Sequence, residues 1–237
     1  MRLWIILLIT LFVSGCTGQQ SKPFQLKNLA KSDVDMVADL HRLRIEQLAR
    51  QLTVKLYKRN PRELKKAPDA TIDSRLATLF PAQLPLDGDG KPITQRLFAE
   101  LDNKDSIEAV KLAFDPTFRG DRVFALMAGM TGMVNASYSH KREFFLPDEL
   151  DQNKLYTSAR NLEAIAWQLR TKLDASGKPL IYSNGATAEG IENFSYERVL
   201  GKMIAIQDML ADVVSDSSSR TINRVIHGAA SITLLPI

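Results

Sequence analysis

The 237-residue chain predicts an all-α fold, a single-domain bundle of about six to eight helices. Three observations carry that expectation. Apolar residues recur three and four positions apart through most of the chain, the spacing that lines one face of a helix. Ser and Asp caps stand before these stretches and Pro or Gly after them, where helices start and stop. No sustained apolar and polar alternation, the mark of a half-buried strand, interrupts them.

Taken in order, Ser32-Asp33-Val34-Asp35 has the form of a reciprocal capping box. Val34, Val37, Leu40, Ile45, Leu48, Leu52 and Leu56 then continue one stripe to Asn60-Pro61, where proline must end the helix. Residues 71–80 and 92–102 each show two or three turns of helical spacing. Between them, residues 85–92 alternate Asp and Gly in the manner of a calcium loop. Counted from Asp87, however, the fifth position is Lys91 and the twelfth is Phe98 instead of Glu, so a plain turn is expected. Asp105-Ser106-Ile107-Glu108 predicts a second capping box and a short helix through Phe114.

The next helix, over 123–138 behind an Asp121 cap, is the most unusual segment. Ala125 and Gly129 stand four apart, as do Ala128, Gly132 and Ala136, giving two small-residue ridges that admit close approach of a neighbour. Two mid-helix glycines cost about 1 kcal/mol each against Ala, so tight packing should offset them. The expectation is a central buried helix. Its alternative use is as a partner-binding face, with Met127, Met130 and Met133 forming an adaptable apolar groove for a lipid or a helix.

Pro147-Asp148-Glu149 reads as a first helical turn, and Leu155, Leu162, Ile165, Ala166, Leu169 and Leu173 carry that helix to about Ala175. Residues 176–194 form the one long irregular stretch, with Leu180-Ile181-Tyr182-Ser183 before Asn184-Gly185 predicting a small hairpin. Long loops are often functional, which makes Tyr182, Asn184 and Gly185 candidate partner contacts. Ser195 is expected to cap a helix bearing Val199, Leu200, Met203, Leu210 and Val214, broken at 215–219. A last helix carries Ile222, Val225, Ile226, Ala229 and Ala230.

Ahead of this body, Met1-Arg2 and the apolar residues 3–13 have the form of an export signal, too short for the roughly 20 residues that span a bilayer. The run Val13-Ser14-Gly15-Cys16 that follows resembles the lipobox of bacterial lipoproteins. The resemblance implies cleavage between Gly15 and Cys16, a diacylglyceryl thioether on Cys16 and an acylated amine. Each buried CH₂ contributes about 0.8 kcal/mol, so two or three chains anchor essentially permanently. Thr17 and Gly18 replace the Asp that marks inner-membrane retention in enteric-type bacteria, so the resemblance favours the periplasmic face of the outer membrane. The expected organisation is a signal peptide over 1–15, a lipidated N-terminus and tether over 16–31, and a helical domain over 32–237.

Without Arg2 the chain carries 30 Lys plus Arg against 27 Asp plus Glu. That mild excess argues against nucleic acid, which calls for a concentrated basic stripe. The densest basic run, 55–66, reads as a solvated helix end, with anionic lipid head groups as the functional alternative. Cys16 is the sole cysteine, so the domain is held by its core alone. His41, His140 and His227 are far apart in sequence, and no zinc spacing, GxSxG, SxxK or Walker pattern occurs. No metal and no cofactor is therefore expected. Two functions remain. One is an envelope-anchored lipoprotein that binds a protein partner as an assembly factor or accessory subunit; the other is an all-helical envelope enzyme acting on peptidoglycan or lipid through acidic residues.

Overall fold

The computed structural model describes residues 29–185, 190, 192–218 and 234–236. The signal peptide expected over 1–15, Cys16, most of the tether expected over 16–31 and the last helix expected over 222–230 lie outside the described residues. Among the described residues the chain forms seven α-helices and no β-strand. None of these helices is long and apolar enough to cross a membrane.

Helix α1, Asp33–Arg59, opens with the expected box: Ser32 Oγ accepts from the Asp35 N–H at 3.1 Å, and Asp35 Oδ2 accepts from the Ser32 N–H at 2.7 Å. It stops at Asn60, and Pro61 begins the single turn α2, Pro61–Leu64. α3, Ile72–Leu79, has its own box between Thr71 and Ser74. α4 is Ser106–Ala113, α5 Arg122–Ser137, α6 Gln152–Thr171 and α7 Ser195–Ser218. Helix α5 is the centre of the bundle. α4 lies along it, α1 and α6 pack on its other sides, and α7 packs against both α1 and α6. Pairs from Ser158 with Gln207 to Arg170 with Glu197 make α6 and α7 antiparallel.

The small-residue ridge explains the closest of these contacts. A Cβ placed on Gly129 would lie 2.5 Å from the Ser106 carbonyl oxygen and 2.6 Å from the Val110 nitrogen. A Cβ on Gly132 would overlap Asp105 Oδ1. Glycine thus lets α4 rest on the backbone of α5.

Several expected elements differ. Residues 92–102 are irregular except for a 3-10 turn at Ala99–Leu101. Ile93 N–H is drawn back to the Pro85 carbonyl at 2.8 Å, and Phe98 packs edge-on against Phe124 at 5.0 Å, so tertiary contacts override the helical spacing. Asp105 caps α4 by accepting from the Ser106 N–H at 2.6 Å, without the reciprocal Glu108 bond. Pro147 sits in a turn closed by Asp148 N–H to the Phe145 carbonyl at 2.7 Å. The start of α6 passes to Asp151, which accepts from the N–H groups of Asn153 and Lys154. That helix ends at Thr171, short of Ala175. Ser195 is the first residue of α7, and its hydroxyl accepts from Lys55 Nζ at 2.8 Å instead of capping.

The hairpin expected to turn at Asn184-Gly185 would return through residues 186–189, which lie outside the described residues. A tight turn lies earlier, over Leu173-Asp174-Ala175-Ser176-Gly177-Lys178-Pro179, and it repeats the turn at Leu86-Asp87-Gly88-Asp89-Gly90-Lys91-Pro92. In both, the Asp N–H donates to the Lys carbonyl, at 2.7 and 2.8 Å. The Asp Oδ1 accepts from the N–H groups two and four residues on, and Leu bridges Pro. The required positive φ, 75° and 76°, falls on Gly177 and Gly90, a position that glycine takes without steric cost.

Candidate functional site

Of the residues singled out in the sequence, the ridge is filled from within the chain. Ala125 and Ala128 are buried, Gly129 and Gly132 meet α4, and Ala136 is half-buried near the end of α5.

Tyr182, Asn184 and Gly185 are brought together beside the C-terminal end of α1. Asn60 holds Tyr182 there: its amide Nδ2 donates to the Tyr182 carbonyl at 2.7 Å and its Oδ1 accepts from the Tyr182 N–H at 2.7 Å. Arg62 lies over the Tyr182 ring at 5.1 Å. Asn184 Nδ2 donates to Glu197 Oε1 at 2.9 Å, while its buried Oδ1 has no hydrogen-bond partner. A Cβ on Gly185 would sit 2.8 Å from Arg59 Nη2.

A charged knot closes the N-terminal end of α5. Asp121 Oδ1 accepts from the Phe124 N–H at 2.9 Å, Asp121 Oδ2 accepts from the Tyr57 hydroxyl at 2.8 Å, and Arg75 Nη2 lies 3.4 Å from it. Arg75 also forks onto Glu100 at 2.7 and 2.8 Å and stacks over Phe124 at 4.1 Å. Glu63 accepts from the Arg122 N–H at 2.9 Å and from Lys66 at 2.6 Å. Burial holds the Asp121 carboxyl above the usual carboxylate range, outweighing its hydrogen bonds and the nearby guanidinium. Burial, followed by the Asp121 charge, pushes the Tyr57 hydroxyl up as well. Every charged member of this knot meets an opposite charge or a backbone partner, and Tyr57, Glu63, Arg75, Asp121 and Arg122 are all buried. Its character is that of a structural clamp.

The concave site lies at the opposite end of α5. Here α1, α5, the segment after α3 and the turn over 139–142 line a small cleft with a cavity volume of about 50 Å³, open to solvent at its mouth. Ile45, Leu79, Met130, Val134 and Met203 back it with apolar side chains. Its polar wall is cationic. Arg142 donates to the Pro81 and Ala82 carbonyls at 2.9 and 3.1 Å, and Arg96 donates to the Thr78 carbonyl. Arg42 Nε holds the Arg142 carbonyl at 2.9 Å. Among the described residues Glu46 is the one carboxylate on this wall, and it is shared by Arg42 at 3.3 Å and Arg50 at 2.9 Å.

The turn that presents these groups is strained. Ser139 and His140 both take positive φ, 52° and 58°, a region uncommon for non-glycine residues. They end α5 by returning Ser139 N–H to the Ala136 carbonyl at 3.0 Å and His140 N–H to the Asn135 carbonyl at 2.7 Å. The His140 Nδ1 is buried without a hydrogen-bond partner. Asp39 Oδ1 accepts from the Phe144 N–H at 2.9 Å and so fastens the far side of the turn to α1. Burial, and after it the charge of Arg142, holds the Arg96 guanidinium below its ordinary value.

Chemically, the cleft offers guanidinium donors above an apolar back wall. Among the described residues no three His, Cys, Asp or Glu side chains converge to hold a metal ion. Sequence reasoning reached Met130 as part of an apolar groove but missed Arg42, Arg96, His140 and Arg142. They come from three separate segments, and no local spacing joins them. Comparison with models of known families, with curated proteins and with solved structures gives no match for this chain.

Proposed function

We propose that this chain is an envelope-anchored lipoprotein that works by binding, as an assembly factor or accessory subunit of a cell-envelope complex, held through lipid on Cys16 at the periplasmic face of the outer membrane. The observation that carries the binding reading is the cleft at the C-terminal end of α5. Its wall is cationic, with Arg96 and Arg142 directed onto carbonyl groups, and its back is apolar. Carbonyl partners leave the positive charge of these guanidiniums in place, and such a surface attracts an anionic group. The alternative, acid–base chemistry on a glycan or lipid, needs a carboxyl group poised in a cleft. The carboxyl that burial raises, Asp121, is enclosed in the knot, and Glu46 is held by two arginines.

Two measurements test the proposal. Crosslinking and pull-down of the lipidated protein from its native envelope should recover a specific partner. Recovery of the protein alone, together with loss of an envelope activity on substituting Glu46, would favour the enzyme. Cys16→Ser should abolish labelling by a fatty-acid probe, and undiminished labelling would remove the lipid anchor from the proposal.

A further inference from the structure

The size of the cleft limits what can enter it. Its cavity of about 50 Å³ is a few times the roughly 10–15 Å³ that one water needs, which suits a group of about three or four heavy atoms. The apolar side chains of Ile45, Met130, Val134 and Met203 behind it are already buried by the fold. Whatever binds here must therefore keep most of its bulk outside, along the mouth.

The lining is short of negative charge. A guanidinium carries five N–H donors. Arg142 donates one to the Pro81 carbonyl and one to that of Ala82, and Arg96 donates one to that of Thr78, so donors and the full charge remain on both. The charge of Arg142 acts unfavourably on Arg96, which places the two guanidiniums in one neighbourhood. Glu46 is divided between Arg42 and Arg50, and Lys141 is paired with Asp148. The carbonyls at the end of α5 are turned to other work: those of Asn135 and Ala136 accept from the N–H groups of His140 and Ser139. Thr94 and Asn135 add a hydroxyl and an amide to the lining, and His140 adds a buried Nδ1 without a hydrogen-bond partner.

Outside the mouth, the strip that leads from α3 to Phe98 exposes Leu86, Ile93 and Leu97, and it carries Thr94 and Arg96 between the last two. A free anion would answer the arginines and leave this strip in water. A peptide segment laid along it covers apolar surface while one acidic side chain reaches inward, and a carboxylate fits the donor fork of a guanidinium. Arginine met in this way is among the residues that carry most of the energy of a protein contact. Resting on the binding reading above, we infer that this face takes an acidic segment of a partner protein, with one Asp or Glu carboxylate entering the cleft and received by Arg96 and Arg142.

The test uses the full-length lipidated chain in phosphatidylcholine nanodiscs, its methionines carrying ¹³C methyl groups, with hexaglutamate as the probe. The methyl signals of Met130 and Met203, which line the cleft, should move on titration. Those of Met36 and Met209, exposed on α1 and α7, should not. Hexaglutamine should move none of them. The double variant Arg96→Gln/Arg142→Gln should weaken hexaglutamate binding by about tenfold or more. Glu46→Gln removes the carboxylate of the wall, keeps every guanidinium and should strengthen binding about threefold, so the inference remains testable if the double variant fails to fold.

Unmoved signals of Met130 and Met203, movement confined to Met36 and Met209, or equal binding by hexaglutamine would overturn the assignment. Inorganic phosphate moving the cleft signals at lower concentration than hexaglutamate would overturn it in favour of a phosphate site. A specific envelope partner recovered with wild type and double variant alike, with hexaglutamate leaving the cleft signals unmoved, would overturn this inference alone and leave the binding function standing. Arginine-dependent binding of hexaglutamate with no partner recovered from the envelope would support the inference and count against an accessory subunit.

Discussion

At one end of α5, Glu63, Arg75, Glu100, Asp121 and Arg122 form a knot in which charges of both signs interlock. At the other end Arg42, Arg96 and Arg142 share a wall with Glu46, and among the described residues two of the three reach only carbonyl oxygens. The same helix thus separates a neutralised, closed cluster from a cationic, open one. A balanced buried cluster fixes geometry, because removing either partner strands the other in low dielectric. An unbalanced one has capacity left for something outside the chain. The difference lies in pairing, since both ends use the same residue type, arginine.

The largest expected effect is therefore at the closed end. Asp121→Ala removes the cap of α5, the acceptor for Tyr57 and one of the two acidic partners of Arg75. It should cost about 3–5 kcal/mol in urea unfolding, as expected for breaking a buried ion pair. The pH dependence gives an independent check. Burial raises the folded-state value of this carboxyl, so the folded protein binds that proton more tightly than the unfolded chain. Its contribution is fully present below the ordinary aspartate value of about 3.9 and is lost as pH rises through the raised folded value. Asp148 runs the other way, since its hydrogen bond from Lys141 lowers it. Its contribution is present above the ordinary value and is lost as pH falls through the depressed one. Stability profiles of Asp121→Ala should therefore keep the acid-side loss and lack the decline above the ordinary value.

A smaller effect probes the seam between the two ends. Gly129→Ala puts a methyl group against the backbone of Ser106 and Val110, which cannot move as a side chain can. Overpacking of this kind costs about 1–3 kcal/mol, and the helix-propensity gain returns roughly 1 kcal/mol. The net loss should be about 2 kcal/mol at the upper end of that range. Gly201→Ala in α7, with nothing within 4 Å of the new Cβ, should instead stabilise by up to about 1 kcal/mol. Equal outcomes at the two glycines would refute steric filling as the role of Gly129.

These differences follow what local sequence encodes. The boundaries of α1, the Asp121 cap and the buried Gly129 ridge were legible because each depends on residues within a few positions of one another. Residues 92–102 were misread because Phe98 answers to Phe124 across the fold. The α6 start was misread because Asp151 caps better than Pro147-Asp148-Glu149 opens. The Leu-Asp-x-x-Gly-Lys-Pro turn is written twice in the sequence, yet its copies are too far apart to register as a repeat period. The cleft was the least legible feature of all. Arg42, Arg96 and Arg142 are each unremarkable in their own segments, and only the chain path that brings Thr78, Pro81 and the end of α5 together makes them neighbours.

The smallest expected effect is at the open end, and it decides whether the contrast is real. Arg142→Gln loses hydrogen bonds to the Pro81 and Ala82 carbonyls. Ala82 is exposed, so water can replace the bond to its carbonyl. The substitution also removes a positive charge that acts unfavourably on Arg96. With hydrogen bonds contributing about 0.5–1.5 kcal/mol net and this relief opposing them, the change in unfolding free energy should stay within about 1 kcal/mol. A loss as large as that of Asp121→Ala would make Arg142 part of a second structural clamp and dissolve the distinction between the two ends. A near-neutral result would mean that the guanidinium is held in place without being needed for the fold, the condition under which its charge is available to a ligand.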